Sequence, residues 1–187
     1  MKYLIAGLGN IGVEYSGTRH NIGFMILDAL AGASNSFFEP ARLADRCSLK
    51  YRGRTFVLIK PSTYVNLSGR AVHYWLKKEK IPLERFLVVL DDIALPYGKL
   101  RLRKHGGSGG HNGLEHINQI IGNQNYARLR FGIGDEFNRG QQINHVLGNW
   151  TDEEKSTLND RMKAAGEIIL SFGTAGLEQT MNTYNNK

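Results

Sequence analysis

FLVVLDD, residues 86–92, is the stretch on which the fold turns. An apolar run rich in valine and leucine goes straight into two carboxylates, so residues 86–90 read as a strand whose carboxyl end carries Asp91 and Asp92. The same pattern recurs upstream. Residues 54–60 (RTFVLIK) form a strand stopped by Pro61, and residues 2–6 (KYLIA) form one ended by Gly7. Downstream, residues 100–103 and 128–133 complete the set. Helical spacing fills the gaps: residues 20–31 with Gly32 as a C-cap, residues 68–80 with Val72, Trp75 and Leu76 on one face, and residues 112–121. A last helix over 151–171 opens with Thr151 and Glu154 as a capping box. Strands and helices alternate, which predicts an α/β fold, a sheet covered by helices on both faces. In such folds ligands gather at the carboxyl ends of the strands, here residues 7–10, 61–66 and 91–92.

The composition fits one domain over residues 1–187. With 41% hydrophobic residues, a chain of 187 residues buries roughly 70% of its unfolded surface around a single core. No internal repeat, low-complexity tract or linker divides it. Its 24 basic and 17 acidic side chains leave a net charge of +7, which points toward a polyanion such as nucleic acid. The single cysteine, Cys47, excludes an internal disulfide framework and a thiolate metal cluster. A cytoplasmic protein is expected, since no stretch approaches the ~20 apolar residues of a membrane span and the amino terminus meets glycines before a signal-peptide core can form.

Several motifs fall at the strand ends, each with a structural alternative. GLGNIG, residues 7–12, matches the dinucleotide fingerprint literally, yet turn formers follow it where a helix should open. A tight turn that frees Asn10 to face a cleft accounts for it as well. His20 is either a capping or packing residue or a proton-transfer group; for the second role it needs an orienting carboxylate, and Asp91 is placed to supply one. Asp91 and Asp92 also read as a solvated turn or half a metal site, although no accompanying ligand pattern supports a metal. The run KPSTYVNLSG, residues 60–69, supplies Ser, Thr and Asn, some of which are expected to cap the following helix. GGSGGHNG, residues 106–113, is a close-approach loop without the ending of a P-loop. Arg101 with Arg103, and Arg128 with Arg130, each share a strand face, as a phosphate clamp or as a solvated basic edge.

Read together, GLGNIGVEYSGTRHNIGF (7–24), KPSTYVNLSG (60–69), DDIALPYGKLRLR (91–103), GGSGGHNGL (106–114) and ARLRFGIG (127–134) resemble the bacterial peptidyl-tRNA hydrolase family, in order and over nearly the whole chain. The resemblance implies a single-domain three-layer sandwich with a twisted mixed sheet, and cleavage of the ester between a peptide and the 3′ end of tRNA. It implies His20, Asp91 and Asn10 as catalytic residues, with Tyr15, Tyr64, Val65, Asn66, Asn112, Arg103 and Arg130 binding substrate or tRNA. It implies no metal, no cofactor and no stable protein partner; peptidyl-tRNA is the expected partner. Three positions depart from the family pattern. Val65 stands where Met is usual, Ser108 is unusual in the glycine loop, and Asp135-Glu136 replaces His-Pro after GIG. Three rivals remain at this level: an RNA-binding relative without hydrolysis, a nicotinamide oxidoreductase built on GLGNIG, and a basic α/β scaffold with no activity.

Overall fold

The computed structural model describes residues 1–186. Strands β1 (Lys2–Gly7), β2 (Glu39–Ala41), β3 (Ala44–Tyr51), β4 (Arg54–Pro61), β5 (Phe86–Asp92), β6 (Leu100–Arg103) and β7 (Ala127–Gly132) form one sheet in the order β2-β3-β4-β1-β5-β7-β6. Its centre, β4-β1-β5-β7, is parallel, and the two edges are antiparallel. Helices α1 (Ile22–Ala33), α2 (Gly69–Lys78), α3 (Asn112–Ile121), α4 (Gln142–Val146), α5 (Asp152–Thr174) and α6 (Leu177–Tyr184) complete the chain.

Period-two alternation explains the layers. Along β1 and β5, Tyr3, Ile5, Leu87 and Val89 point to one face and pack with Ile26 and Leu27 of α1 and Ile168, Ile169 and Phe172 of α5. Leu4, Ala6, Val88 and Leu90 point to the other face and meet Val72 and Trp75 of α2 and Leu114 and Ile117 of α3. Two cores sandwich the sheet, as a central parallel sheet requires. The three-layer α/β sandwich with a mixed sheet follows.

The expected elements are present with shifted ends. The first helix is preceded by a separate 3-10 turn, Arg19–Asn21, and it runs through Gly32 to a C-cap at Ser34, so Gly32 is not its cap. Ser68 precedes α2, but its hydroxyl donates back to the Val65 carbonyl and caps nothing. The Gly69 N–H is satisfied by His116 Nδ1 of α3 instead, at 2.9 Å. Thr151 and Glu154 form the expected capping box. The exposed edge of β6 is closed by one side chain: Asn185 Oδ1 accepts from the Leu102 N–H at 2.8 Å, and its Nδ2 donates to the Leu102 carbonyl at 2.9 Å. That amide imitates a neighbouring strand and blunts the edge.

Candidate active site

Close packing brings His20 to the mouth of β1. A Cβ on Gly7 would lie 2.4 Å from the Gly23 carbonyl oxygen, and one on Gly23 would lie 2.4 Å from the Leu8 nitrogen and 2.5 Å from the Val89 oxygen. Only glycine lets α1 descend this far onto the strand ends. Gly7 and Gly9 of GLGNIG therefore serve close contact with α1 and the turn before it, while Gly12 turns the chain at positive φ, and the helix opens at Ile22 rather than at the motif. The turn bearing His20 is held from its other side as well. Arg19 Nη2 pairs with Glu154 Oε1 at 2.9 Å, and its Nη1 donates to the His145 carbonyl at 3.0 Å.

At that position His20 Nδ1 lies 3.0 Å and 2.9 Å from the two oxygens of Asp91. A second imidazole reaches the same carboxylate: His111 Nε2 is 2.8 Å from Asp91 Oδ1. The protons can be placed from their partners. His111 Nδ1 accepts from the Gly113 and Leu114 N–H groups at 3.1 and 3.3 Å, capping α3, so its proton is on Nε2 and points at Asp91. His20 likewise donates through Nδ1, which leaves its Nε2 with a lone pair directed away from the carboxylate. Asp91 is 4% exposed; burial pushes its pKa up, but the His111 and His20 rings hold it well below the usual carboxylate range. Burial lowers the His20 pKa, and the hydrogen bond and charge of Asp91 outweigh it, so the ring titrates above its ordinary 6.5.

His20 Nδ1, an Asp91 oxygen and His111 Nε2 lie within 4.8 Å of one another, a third potential ligand that the linear spacing did not reveal. Both nitrogens carry the protons that bind Asp91, so hydrogen bonding accounts for the cluster. His111 is the candidate site residue that the sequence motifs left unmarked. Its signal was present in GGHNG, where a histidine ends a flexible loop just ahead of a helix.

Asn10 is placed by three hydrogen bonds. Its N–H donates to Asn21 Oδ1 at 2.8 Å, and Asn21 Nδ2 returns a bond to its carbonyl at 2.9 Å. Asn10 Oδ1 accepts from the Val65 N–H at 2.7 Å, which turns its amide nitrogen outward as an uncommitted donor among the described residues. Val65 is buried, whereas Asn66 beside it is exposed on the 3-10 turn Val65–Leu67. Tyr15 and Tyr64 meet edge to face at 6.3 Å.

One small pocket of about 110 Å³ gathers His20, Asp91, His111, Asn112 and Arg130, roofed by Ile143 and Val146 of α4. Asn10 instead faces an adjoining groove along α1 and β4.

The basic residues divide. Arg130 pairs with Asp92 at 3.3 Å beside the pocket, and Arg103 is exposed on β6. The register sets Arg101 opposite Arg130 and Arg103 opposite Arg128, so Arg103 lies one diagonal step from Arg130 and away from the pocket. A clamp made of two arginine pairs is not formed. Arg128 is wholly buried and bonded to backbone carbonyls, out of reach of a phosphate.

Residues 4–187 match the family model described as peptidyl-tRNA hydrolase. The chain belongs to the peptidyl-tRNA hydrolase family. A curated peptidyl-tRNA hydrolase of Bacteroides fragilis is 58% identical over 187 residues, covering 100% of both chains. One of Cytophaga hutchinsonii is 52% identical with the same coverage. The crystal structure of peptidyl-tRNA hydrolase from Acinetobacter baumannii superposes with a TM-score of 0.91 at 34% identity, covering 98% of this chain and 94% of that one. Such agreement leaves the nicotinamide alternative without support, since two of the glycines that prompted it are spent on packing and the third on a turn.

Proposed function

We propose that this peptidyl-tRNA hydrolase cleaves the ester between a peptide and the 3′ oxygen of tRNA by general-base activation of water at His20. The observation that carries the mechanism is His20 Nδ1 bonded to buried Asp91, which leaves Nε2 as the base. Nε2 takes a proton from water as the oxygen attacks the ester carbonyl. The tetrahedral intermediate collapses, and the proton passes from His20 to the departing 3′ oxygen, giving a carboxylate and free tRNA. The uncommitted amide of Asn10, with Asn66 and Asn112, supplies neutral donors to the oxyanion and the peptide carbonyls. Tyr15 and Tyr64, which meet edge to face, form the wall beside the substrate's terminal part, and buried Val65 holds Asn10 through its backbone N–H. The enzyme works in the cytoplasm as a monomer, without metal, cofactor or stable protein partner. Among the described residues no helix is long and apolar enough to cross a membrane.

The test is incubation with an N-blocked aminoacyl-tRNA and with the free aminoacyl-tRNA, reading released tRNA. Release from the blocked substrate is expected to be much faster. No release from either would refute the assignment. The same assay in EDTA is expected to run at an unchanged rate; loss of activity restored by one specific metal would show that the His20–Asp91–His111 cluster holds an ion.

The roles of Arg103 and Arg130 separate by substrate length. Arg103→Ala and Arg130→Ala are expected to raise KM for whole tRNA while sparing a minimal substrate that carries only the 3′ end. Each should flatten the log-affinity against log-salt slope by ~0.7–0.9, the signature of one lost phosphate contact. Equal losses on both substrates with an unchanged slope would assign them to the fold or the ester site.

A further inference from the structure

Arg128 is the largest fully buried side chain, at 0% exposure. Among the described residues no carboxylate lies within ion-pair distance of it. A buried cation is costly unless its donors are satisfied, and this one satisfies them with backbone. Nη1 donates to the carbonyls of Gly106 and Gly107 at 2.6 and 3.1 Å. Nη2 donates to those of Gln124 and Tyr126 at 3.0 and 3.3 Å, and Nε reaches Tyr126 at 3.4 Å. The guanidinium carbon lies 4.6 Å from the centre of the Tyr126 ring, whose hydroxyl donates to Asn118 Oδ1 on α3.

These carbonyls flank α3 on both sides. Gly106 and Gly107 lead into it, and Gln124 and Tyr126 follow it, so one planar fork clasps the two ends of the excursion that carries the helix. The leading loop has little stiffness of its own, with Gly106, Gly109 and Gly110 all at positive φ. It nevertheless ends at His111, whose Nε2 must reach Asp91. Arg128 and Asp91 stand on paired strands, Val88 opposite Arg128 and Asp91 opposite Phe131, so the anchor and the carboxylate share one rigid frame.

We propose that Arg128 is a positioning residue of the hydrolytic site: its guanidinium sets the path of the glycine loop so that His111 meets Asp91 and Asn112 faces the cleft. The proposal rests on the His20–Asp91–His111 cluster being the reacting centre. It gives Arg128 a part in kcat and none in binding tRNA phosphate.

Arg128→Lys tests this, because lysine keeps the charge but its single Nζ cannot serve both pairs of carbonyls. Three quantities are read: kcat and KM with an N-blocked aminoacyl-tRNA, the thermal midpoint, and the ring ¹⁵N signals of His111. In Arg128→Lys kcat is expected to fall about 10- to 100-fold, as loss of alignment does, with KM within about two-fold and the protein folded. The His111 ring should change from a fixed Nε2–H tautomer toward the averaged signals of a free ring. In a double-mutant cycle with His111→Ala the combined loss should not exceed the larger single loss. A raised KM with kcat intact, unchanged His111 signals, or losses that multiply would each overturn the proposal. Failure of both Arg128→Lys and Arg128→Gln to fold would do so too, since the role would then be stability of the body. If the wild-type protein releases no tRNA, the functional assignment fails separately, and the His111 signals still decide whether Arg128 positions the loop.

Discussion

His20→Ala is expected to lower kcat for N-blocked aminoacyl-tRNA by about 10²–10⁴-fold, the range that general-base catalysis supplies, with tRNA binding and the thermal midpoint nearly unchanged. The two effects separate because of where the ring sits. Its side chain is 12% exposed at the rim of the cleft, so truncation opens no cavity in either core and leaves the Asn10–Asn21 and Arg19–Glu154 bonds in place. What is lost is the Nε2 lone pair together with one of the two imidazole N–H donors to Asp91, and the His111 donor remains. Single-turnover kinetics with binding measured in parallel makes the comparison; a variant that turns over at the wild-type rate would show that another group activates the water.

Asp91→Asn comes next in size, at no more than the ~10⁴-fold in kcat that loss of the orienting carboxylate costs in a Ser-His-Asp site. The substitution conserves shape, so packing around this 4% exposed site survives. An amide offers one acceptor oxygen where the carboxylate offered two, and two imidazole N–H groups compete for it. Where His111 wins, His20 faces the amide N–H₂ and shifts its proton to Nε2, which removes the base. Because Asp91 acts through His20, the His20→Ala/Asp91→Asn double variant should be no slower than His20→Ala alone. Losses that multiply would mean that Asp91 contributes to the reaction separately.

The parts of the fold that are legible in the sequence are those written in period two or in punctuation. FLVVL and RTFVLIK had to be covered strands, and both are. Residues 44–51, ADRCSLKY, carry no such signal. They form the strand next to the edge strand β2 and bury only Ala44, Cys47 and Leu49, so charge dominates the pattern. The hairpin that joins them to β4 turns at Arg52 and Gly53, both at positive φ, through a pair less telling than Asn-Gly. The site divides in the same way. His20 and Asp91 stand at strand mouths that the topology brings together, so a strand-end argument finds them. His111 arrives through a glycine loop whose path is set by Arg128, seventeen positions further on, a long-range contact that no local spacing encodes. Arg128 and Arg130 share one strand face and still differ in fate, because the loop closes over the first and leaves the second at the pocket.

Whether Asp91 holds His20 as the base is read from the pH dependence of kcat/KM in the wild type and in Asp91→Asn. The base works only when neutral, so the wild-type rate should rise with pH through a midpoint above 6.5, where Asp91 has raised the His20 pKa. In Asp91→Asn the charge that raised it is gone while burial still lowers it, so the ascending limb should move to lower pH, beneath a reduced plateau. An ascending limb at the same pH in both proteins, or none at all in the wild type, would mean that Asp91 does not hold His20 as the base.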